Sequence, residues 1–379
     1  MRRPAAWLPS PPPRPLSGEL TEIMAEWLGD RTGGLLNATL GNATEVIIMI
    51  VALQKGLVGV AQATLVGGVI SNLLFVIGSA FLVGGGRSAA KPEPQRFDAV
   101  AANGDVSVLF IAVLFIILPT VFSSSGGVAV PASVLAYDSH ITAVLLLVMY
   151  SVYLYFVLSQ PLKTERVGPP DEASALYEAD EPEDAPPQRR LMSGPLILLL
   201  MAVAVFLVTI LGNVVMSNIF AMSTDLGLNA AFVAVCVLPF VGNIAELASA
   251  TLAAHHDHLD LSLSIGLGSA TQITLFILPL GVVLGWAMGV PFSLDFEPQL
   301  AVAFFGAVLA VALLVSDGEG NWMKGALLLV AFAVISALVV FMQDPSIGKV
   351  GGNGFGAAVG APPVPLSGGG ALASPSATS

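Results

Sequence analysis

The sequences GNATE, at residues 41–45, and GNIAE, at residues 242–246, decide the fold of this chain. They lie 201 positions apart, and the same offset continues without a gap through the apolar segment that follows, where Gly67 matches Gly268. A gapless match that extends over two apolar segments indicates an internal repeat. The chain is therefore predicted to consist of two related halves.

The composition indicates a membrane protein. Of the 379 residues, 55% are hydrophobic and only 11% are charged, whereas soluble domains are about 25% charged. The mean hydropathy of +0.85 agrees with this. The net charge of −12 argues against a nucleic-acid partner. The single cysteine, Cys236, excludes a disulfide framework and a thiolate metal cluster.

Nine apolar segments are long enough to be membrane helices, since a helix needs about 20 residues to cross a bilayer. The predicted spans are residues 36–54, 57–83, 105–122, 140–159, 194–217, 229–253, 261–288, 298–315 and 322–342. We therefore predict an all-α, polytopic membrane protein. An amphipathic stretch at residues 19–31 is predicted to lie in the membrane interface.

The Lys and Arg residues of the loops are predicted to be concentrated on one side of the membrane. If successive spans alternate in direction, eight Lys and Arg residues of the loops lie on one side and only Lys55 and Lys349 on the other. This bias predicts that the first side is cytosolic. The lipid bilayer is thus an expected partner. The expected location is a prokaryotic cell membrane, or a vacuolar-type membrane if the source is eukaryotic.

The two halves differ in their number of spans. Four fall in the first repeat, residues 19–159, and five in the second, residues 193–343. An odd number of spans per repeat places the two copies in opposite orientations, as in many transporters. The deficit is explained most simply by a first helix that is missing from this chain. The predicted organisation also includes three segments outside the repeats: a Pro-rich disordered N-terminus (1–18), an acidic cytosolic linker (160–192) and a disordered tail (344–379).

Two carboxylates, Glu45 and Glu246, lie inside apolar segments at equivalent repeat positions. A carboxylate within the membrane is costly and usually functional. An inverted pseudo-twofold would bring both to the midplane. The oxygen donors predicted to accompany them are Asn42, Asn243, Ser71, Ser269 and Gln272. Such a set suits a hard cation such as Ca²⁺, which takes oxygen ligands, and not zinc or copper. Gly41 and Gly242 permit close helix approach or a helix break.

The same carboxylates can bind protons, so competition between Ca²⁺ and protons would make an exchanger without a second site. A cation channel is the alternative, but it would not need protonatable glutamates in both repeats. An intramembrane metalloprotease would need HExxH on a helix, and no such motif occurs. We therefore expect no enzyme and no cofactor beyond the transported ions. Whether the chain forms a homo-oligomer is left open by the sequence.

Three histidines are expected in a solvated turn, with a pH sensor or a surface metal site as the alternative. They are His255, His256 and His258.

Two pairs of segments resemble the signature repeats of a known family. The first pair is GNATE with GGVISNLLFVIG (67–78), and the second is GNIAE with GSATQITLFILPLGVVLGW (268–286). The family is the Ca²⁺/H⁺ exchanger branch of the calcium/cation antiporter superfamily. The resemblance implies a ten-helix core, proton-driven Ca²⁺ transport and ion binding by Glu45 and Glu246. Gly68 stands where the family usually has Ser. Sodium-coupled relatives carry a different signature, and sodium-coupled exchange is a further alternative.

Overall fold

A computed structural model describes residues 42–88, 94–124, 132–159 and 194–341. In these residues the chain forms ten helical elements and one short β pair. The elements are α1 (Ala43–Gln54), α2 (residues 58–88), α3 (Ala99–Ser124), α4 (Ala132–Ser159), α5 (Gly194–Leu226), α6 (Ala230–Gly242), α7 (Ile244–His255), α8 (Leu259–Met288), α9 (Pro298–Val315) and α10 (Trp322–Val340), with β1 (Gln95–Arg96) antiparallel to β2 (Glu319–Gly320). The predicted interfacial stretch 19–31, the acidic linker and the two predicted disordered ends lie outside the described residues.

The all-α, polytopic prediction is confirmed. Seven of the described helices are long and apolar enough to cross a membrane, and an eighth span results if α6 and α7 are counted together. The axes of α6 and α7 differ by 56°, so the span predicted at residues 229–253 is present but bent at Asn243, next to the glycine that was expected to permit a break. The described part of the first predicted span is α1, an apolar helix of 12 residues.

The sequence repeat has a counterpart in the helix boundaries. At the offset of 201, the bounds of α1 coincide with those of α7, and the first residue of α2 coincides with that of α8. The residue two places before each of these longer helices has a left-handed backbone, with φ of 68° at Gly56 and 72° at Asp257. Halfway along, α2 and α8 each contain a π-helical turn, Ser71–Val76 and Ile273–Ile277. Each turn widens the helix at an equivalent place.

Helices α2 and α8 run in opposite directions. The end of α2 lies against the β pair, where a methyl carbon on Gly85 would be 2.1 Å from the backbone nitrogen of Trp322. The start of α8 lies at the same end of the molecule, because Leu259 packs against Gly320 of β2. Since α2 and α8 are the equivalent helices of the two repeats, the repeats are inverted, as predicted.

The two equivalent helices also form the centre of the bundle. In their most apolar stretches 78% of α2 and 61% of α8 is buried, against 17% of α4. Large apolar side chains on the outer helices α4, α5 and α10 are exposed, which suits a surface covered by lipid. The core lies at the crossing of the central helices, where Gly67 of α2 contacts the backbone of Val235 in α6.

We call the end that carries the β pair the β-bridge face; it comprises the loops 94–98, 256–258 and 316–321. Three hydrogen bonds join the loop 94–98 to residues at the turn between α7 and α8. Gln95 Nε2 donates to the carbonyl oxygen of Ala254 at 2.9 Å and to Asp257 Oδ1 at 2.8 Å, and the backbone nitrogen of Asp98 donates to Asp260 Oδ1 at 2.6 Å. The loop between α2 and α3 in the first repeat is thereby tied to the α7–α8 turn in the second.

The opposite end carries the loop 289–297, whose apolar side chains at Phe292, Leu294 and Phe296 are buried. Its backbone is held by polar groups of the first repeat. Gln62 Nε2 donates to the carbonyl oxygen of Ser293 at 2.7 Å, and the Leu294 nitrogen donates to Ser139 Oγ at 3.0 Å. Each repeat therefore has one loop that is anchored to the other repeat, and the two anchors lie at opposite ends of the bundle.

Candidate ion-binding site

Helices α1 and α7 both start beside an asparagine. Asn42 has φ −102° and ψ 26°, and Asn243 has φ −92° and ψ 16°, so the two helix starts have the same backbone shape. At Asn243 this shape interrupts a span, which is the helix break that Gly242 was expected to permit. Three residues on, in the first turn, lie Glu45 and Glu246. A helix N-terminus favours negative charge, so each carboxylate occupies a favourable end.

The structure brings the two glutamates together. Glu45 is buried, with 8% of its surface exposed, and Glu246 is half-buried. A methyl carbon on Gly242 would lie 3.6 Å from Glu45 Oε1, so the Glu45 side chain reaches the break between α6 and α7 in the other repeat. The two carboxyl groups also interact electrostatically with each other. Both side chains therefore face one region at the repeat interface.

A chain of hydrogen bonds runs beside the glutamates and crosses between the repeats. Asn72 Nδ2 donates to Ser269 Oγ at 2.9 Å, and Ser269 Oγ donates to Asn42 Oδ1 at 2.9 Å. Asn42 Nδ2 then donates to Gln272 Oε1 at 2.5 Å. The chain joins the start of α1 to the middle of α2 and α8. It brings Asn42 into contact with both Ser269 and Gln272, and all three are predicted site residues.

The contact made by Asn243 is the counterpart of the one made by Asn42. Asn243 Nδ2 donates to the carbonyl oxygen of Gly68 at 3.3 Å. Gly68 is the repeat equivalent of Ser269, so each asparagine bonds to the same position of the other repeat. The direction of the hydrogen bond differs: the Ser269 hydroxyl donates to Asn42 Oδ1, whereas Gly68 has no hydroxyl and its carbonyl oxygen accepts from Asn243.

Several oxygen atoms at this interface are buried and have no hydrogen-bond partner within the described residues. They are Glu45 Oε2, Glu246 Oε2, Asn243 Oδ1, Ser71 Oγ and Asn72 Oδ1. Buried polar atoms are normally paired, and each exception calls for an explanation. A cluster of unpaired acceptor oxygens around two carboxylates can receive a proton or a hard cation.

The sequence prediction is incomplete at two positions. Ser71 was predicted because the repeat pairs it with Gln272, but in the structure the neighbouring Asn72 makes the contact across the repeats. Spacing alone could not separate two adjacent polar residues inside an apolar segment. The carbonyl oxygen of Gly68 was also missed, since a glycine gives no side-chain signal.

The three histidines lie far from this region. His255, His256 and His258 are exposed at the turn between α7 and α8, on the β-bridge face. Within the described residues, no group of three or more His, Cys, Asp and Glu side chains is arranged to hold a metal ion. The solvated turn is thus the better interpretation of the histidines.

The sequence matches the model of one protein family, "Sodium/calcium exchanger protein", over residues 16–159 and 196–341. The chain belongs to this family. The matched segments contain all seven predicted site residues. The chain is accordingly a multi-pass integral membrane protein, as the apolar helices indicate.

Members of the family with known names are similar over most of their length. The Ca²⁺/H⁺ antiporter of Aphanothece halophytica is 38% identical over 338 residues, which cover 88% of each chain. Vacuolar cation/proton exchanger 3 of Oryza sativa subsp. japonica is 35% identical over 334 residues, which cover 86% of this chain and 77% of the rice protein. The resemblance to the Ca²⁺/H⁺ exchanger branch is confirmed.

Solved structures agree with this assignment. The structure of native YfkE superimposes with a TM-score of 0.67 and 28% identity, covering 86% of this chain and 88% of YfkE. The crystal structure of the H⁺/Ca²⁺ exchanger CAX gives a TM-score of 0.57 with 12% identity, covering 86% of this chain and 81% of CAX, and shows that the fold is shared.

Proposed function

We propose that this protein exchanges Ca²⁺, or a similar divalent cation, for protons across its membrane. Relatives that are 38% and 35% identical are named as a Ca²⁺/H⁺ antiporter and a cation/proton exchanger. The observation that carries the proposal is the juxtaposition of Glu45 and Glu246 at the interface of the inverted repeats. The protein is thus proposed to be a transporter, and not an enzyme.

In the proposed mechanism, Ca²⁺ and protons compete for the two glutamates. Both carboxylates are drawn to a bound Ca²⁺, which needs six to eight oxygen ligands, and must release any proton to bind it. When protons bind instead, the negative charge that holds the cation is lost. Because the Glu45 side chain reaches the helix break that precedes Glu246, the two carboxylates face one region, and a single site could serve both ions.

The supplementary ligands are proposed to be Asn42, Asn243, Ser71, Ser269 and Gln272. The oxygen atoms of Asn42 and Gln272 accept hydrogen bonds from protein donors, whereas Asn243 Oδ1 and Ser71 Oγ have no such partner. Binding of Ca²⁺ by the first pair would require the hydrogen-bond chain to open. Asn243 Oδ1 and Ser71 Oγ, one from each repeat, could bind a cation without that change.

Alternating access is proposed to arise from movement of the two repeats, residues 19–159 and 193–343, against each other. The 56° bend between α6 and α7 and the π-helical turns are places where the helices depart from regular geometry. The two anchored loops lie at opposite ends of the bundle, so a movement of the repeats would change the contacts at both ends. Access would then alternate between the two faces.

The proposal is tested with the full chain reconstituted in vesicles that contain no other transporter. Uptake of ⁴⁵Ca²⁺ is measured after imposing a pH gradient, a Na⁺ gradient or neither. The proposal requires uptake that depends on the pH gradient and stops when a protonophore collapses it. Uptake driven equally by Na⁺ would support sodium-coupled exchange, and uptake independent of either gradient would support a channel.

A further inference from the structure

An apolar contact lies one helical turn beyond Glu45, on the side of the site away from the β-bridge face. Met49 follows Glu45 by four residues in α1, which is about 6 Å along the helix axis and on nearly the same side of the helix. Helix α1 ends at Gln54, shortly before α2 begins, and α2 runs from there to the β-bridge face. Met49 therefore lies between Glu45 and the opposite end of the bundle, and it is completely buried.

Phe292 reaches the same place from the other repeat. A methyl carbon on Gly281 of α8 would lie 2.7 Å from the sulfur of Met49 and 3.1 Å from the Phe292 ring atom Cε1. Both side chains therefore occupy the space beside this one glycine, whose lack of a side chain makes room for them. Phe292 is 3% exposed, so neither member of the contact meets solvent. We call Met49 and Phe292 the apolar pair.

The loop 289–297 folds back along α8 and thereby carries Phe292 into the bundle. The Val290 nitrogen donates to the carbonyl oxygen of Gly285 at 2.8 Å, and a methyl carbon on Gly285 would lie 2.8 Å from Phe292 Cβ. Gly281 is seven residues before the end of α8, which is about 10 Å along the helix axis. The Phe292 ring therefore lies well inside the bundle and not at its surface.

Polar side chains of the first repeat hold this loop from the other side. Thr120 Oγ1 of α3 accepts a hydrogen bond of 2.8 Å from the Phe296 nitrogen. Gln62 of α2 and Ser139 of α4 bond to the backbone of the same loop. Phe292 is thus fixed to both repeats. A movement of the repeats against each other would therefore change its position relative to Met49.

The equivalent place in the second repeat has no such pair. At the offset of 201, Met49 corresponds to Ala250. Ala250 lies one turn beyond Glu246 towards the β-bridge face, and its side chain is a single methyl group. Glu246 is half-buried, whereas Glu45 is buried. The two sides of the site are therefore closed unequally in this structure.

We propose that the apolar pair is a gate that separates the ion-binding site from the face opposite the β-bridge face. A constriction lined by apolar side chains excludes water, and a hydrated cation does not pass it. Ca²⁺ would reach Glu45 and Glu246 from that face only when movement of the repeats draws Phe292 away from Met49. The inference rests on the proposed exchange, because an exchanger must not open its site to both faces at once.

Truncation of the apolar pair should uncouple Ca²⁺ movement from proton movement. Met49→Ala and Phe292→Ala each remove one member, whereas Met49→Leu keeps a bulky apolar side chain. Met288→Ala is the matched control, because Met288 is 42% exposed at the end of α8. Each protein is reconstituted in vesicles whose membrane potential is held at zero with K⁺ and valinomycin. An inward Ca²⁺ gradient is imposed at equal pH, and ⁴⁵Ca²⁺ uptake and lumenal pH are recorded together.

The measured quantity is the number of protons that leave the lumen for each Ca²⁺ that enters. The parent, Met49→Leu and Met288→Ala should give the same ratio. In Met49→Ala and Phe292→Ala the ratio should fall, because Ca²⁺ also enters through the opened gate without a proton in exchange. A loss of packing alone would slow uptake or lower the unfolding midpoint but would leave the ratio unchanged.

The parent ratio in both alanine variants, even with slower uptake, would overturn the gate. If an alanine variant does not fold, the smaller truncations Met49→Val and Phe292→Leu take its place, and the same fall in the ratio is expected of them. A parent that moves no protons as Ca²⁺ enters would refute the proposed exchange itself. That failure is seen in the parent alone, so it is distinguished from a failure of the gate.

Discussion

Asn42 in the first repeat donates a hydrogen bond of 2.5 Å to Gln272 in the second, at positions 230 residues apart in the sequence. The same asparagine accepts from Ser269, and its equivalent, Asn243, donates to Gly68 of the first repeat. The candidate site is thus the seam between the repeats, and neither repeat alone contains it. Any movement of one repeat against the other changes these bonds directly.

The missing hydroxyl at Gly68 predicts a gain of affinity on substitution. A Cβ atom at Gly68 would meet only the terminal carbon of Ile273 at 3.4 Å, an ordinary contact with a flexible group. Gly68→Ser should therefore fit and add an oxygen ligand, which we expect to lower the Ca²⁺ concentration for half-maximal uptake several-fold. Gly68→Ala is the control, because it adds the carbon without the hydroxyl. Equal effects of the two changes would assign the result to packing.

The close contact at Gly67 predicts a loss of stability. A methyl carbon at Gly67 would lie 2.2 Å from the carbonyl oxygen of Val235, and backbone atoms cannot easily move aside. Overpacking of this kind costs about 1–3 kcal/mol or more. Gly67→Ala should lower the thermal unfolding midpoint in detergent. At the equivalent Gly268 no heavy atom of the described residues is within 4 Å, so Gly268→Ala should unfold near the parent temperature. Similar midpoints for both variants would contradict this close packing.

The ion pair between Lys324 and Asp317 predicts a dependence of stability on pH. Partial burial alone would raise the pKa of Asp317, but hydrogen bonds from Lys324 and from the backbone nitrogen of Glu319 bring the pKa below its ordinary value. A lowered carboxyl pKa stabilises the folded state above about pH 4, the value in the unfolded chain, and this stability is lost as the pH falls through the folded pKa.

Asp317→Asn should accordingly unfold at a lower temperature than the parent at pH 7, and the difference should shrink below about pH 4. The effect is expected to be small, at most about 1 kcal/mol, because the Asp317 side chain is more than half exposed to solvent. A constant difference between parent and variant from pH 7 to pH 3 would show that the ion pair is not its source.

Much of the fold could be predicted because two independent signals agree in the sequence. Hydropathy marks the spans, and the offset of 201 marks the equivalent helices, so the inverted arrangement and the meeting of Glu45 with Glu246 follow from both together. The offset works well because the structure keeps the same helix boundaries in both copies.

The remaining features depend on tertiary contacts that hydropathy does not record. The break at Asn243 lies inside a continuous apolar segment, so an averaged hydropathy passes over it. The pairing of β1 with β2 involves two residues on each side and requires distant loops to meet. Asn72 donates the hydrogen bond to Ser269, and it lies in the π-helical turn of α2, which hydropathy does not predict.

The central claim is that one pair of glutamates binds both ions, and proton-driven uptake in glutamine variants tests it most directly. Glu45→Gln and Glu246→Gln keep the size of each side chain but remove its charge and its titratable proton. In reconstituted vesicles both should lose pH-gradient-driven ⁴⁵Ca²⁺ uptake while keeping the parent unfolding midpoint. Asp225→Asn, an exposed carboxylate at the end of α5, should transport at the parent rate. Uptake near the parent rate in either glutamine variant would contradict the claim.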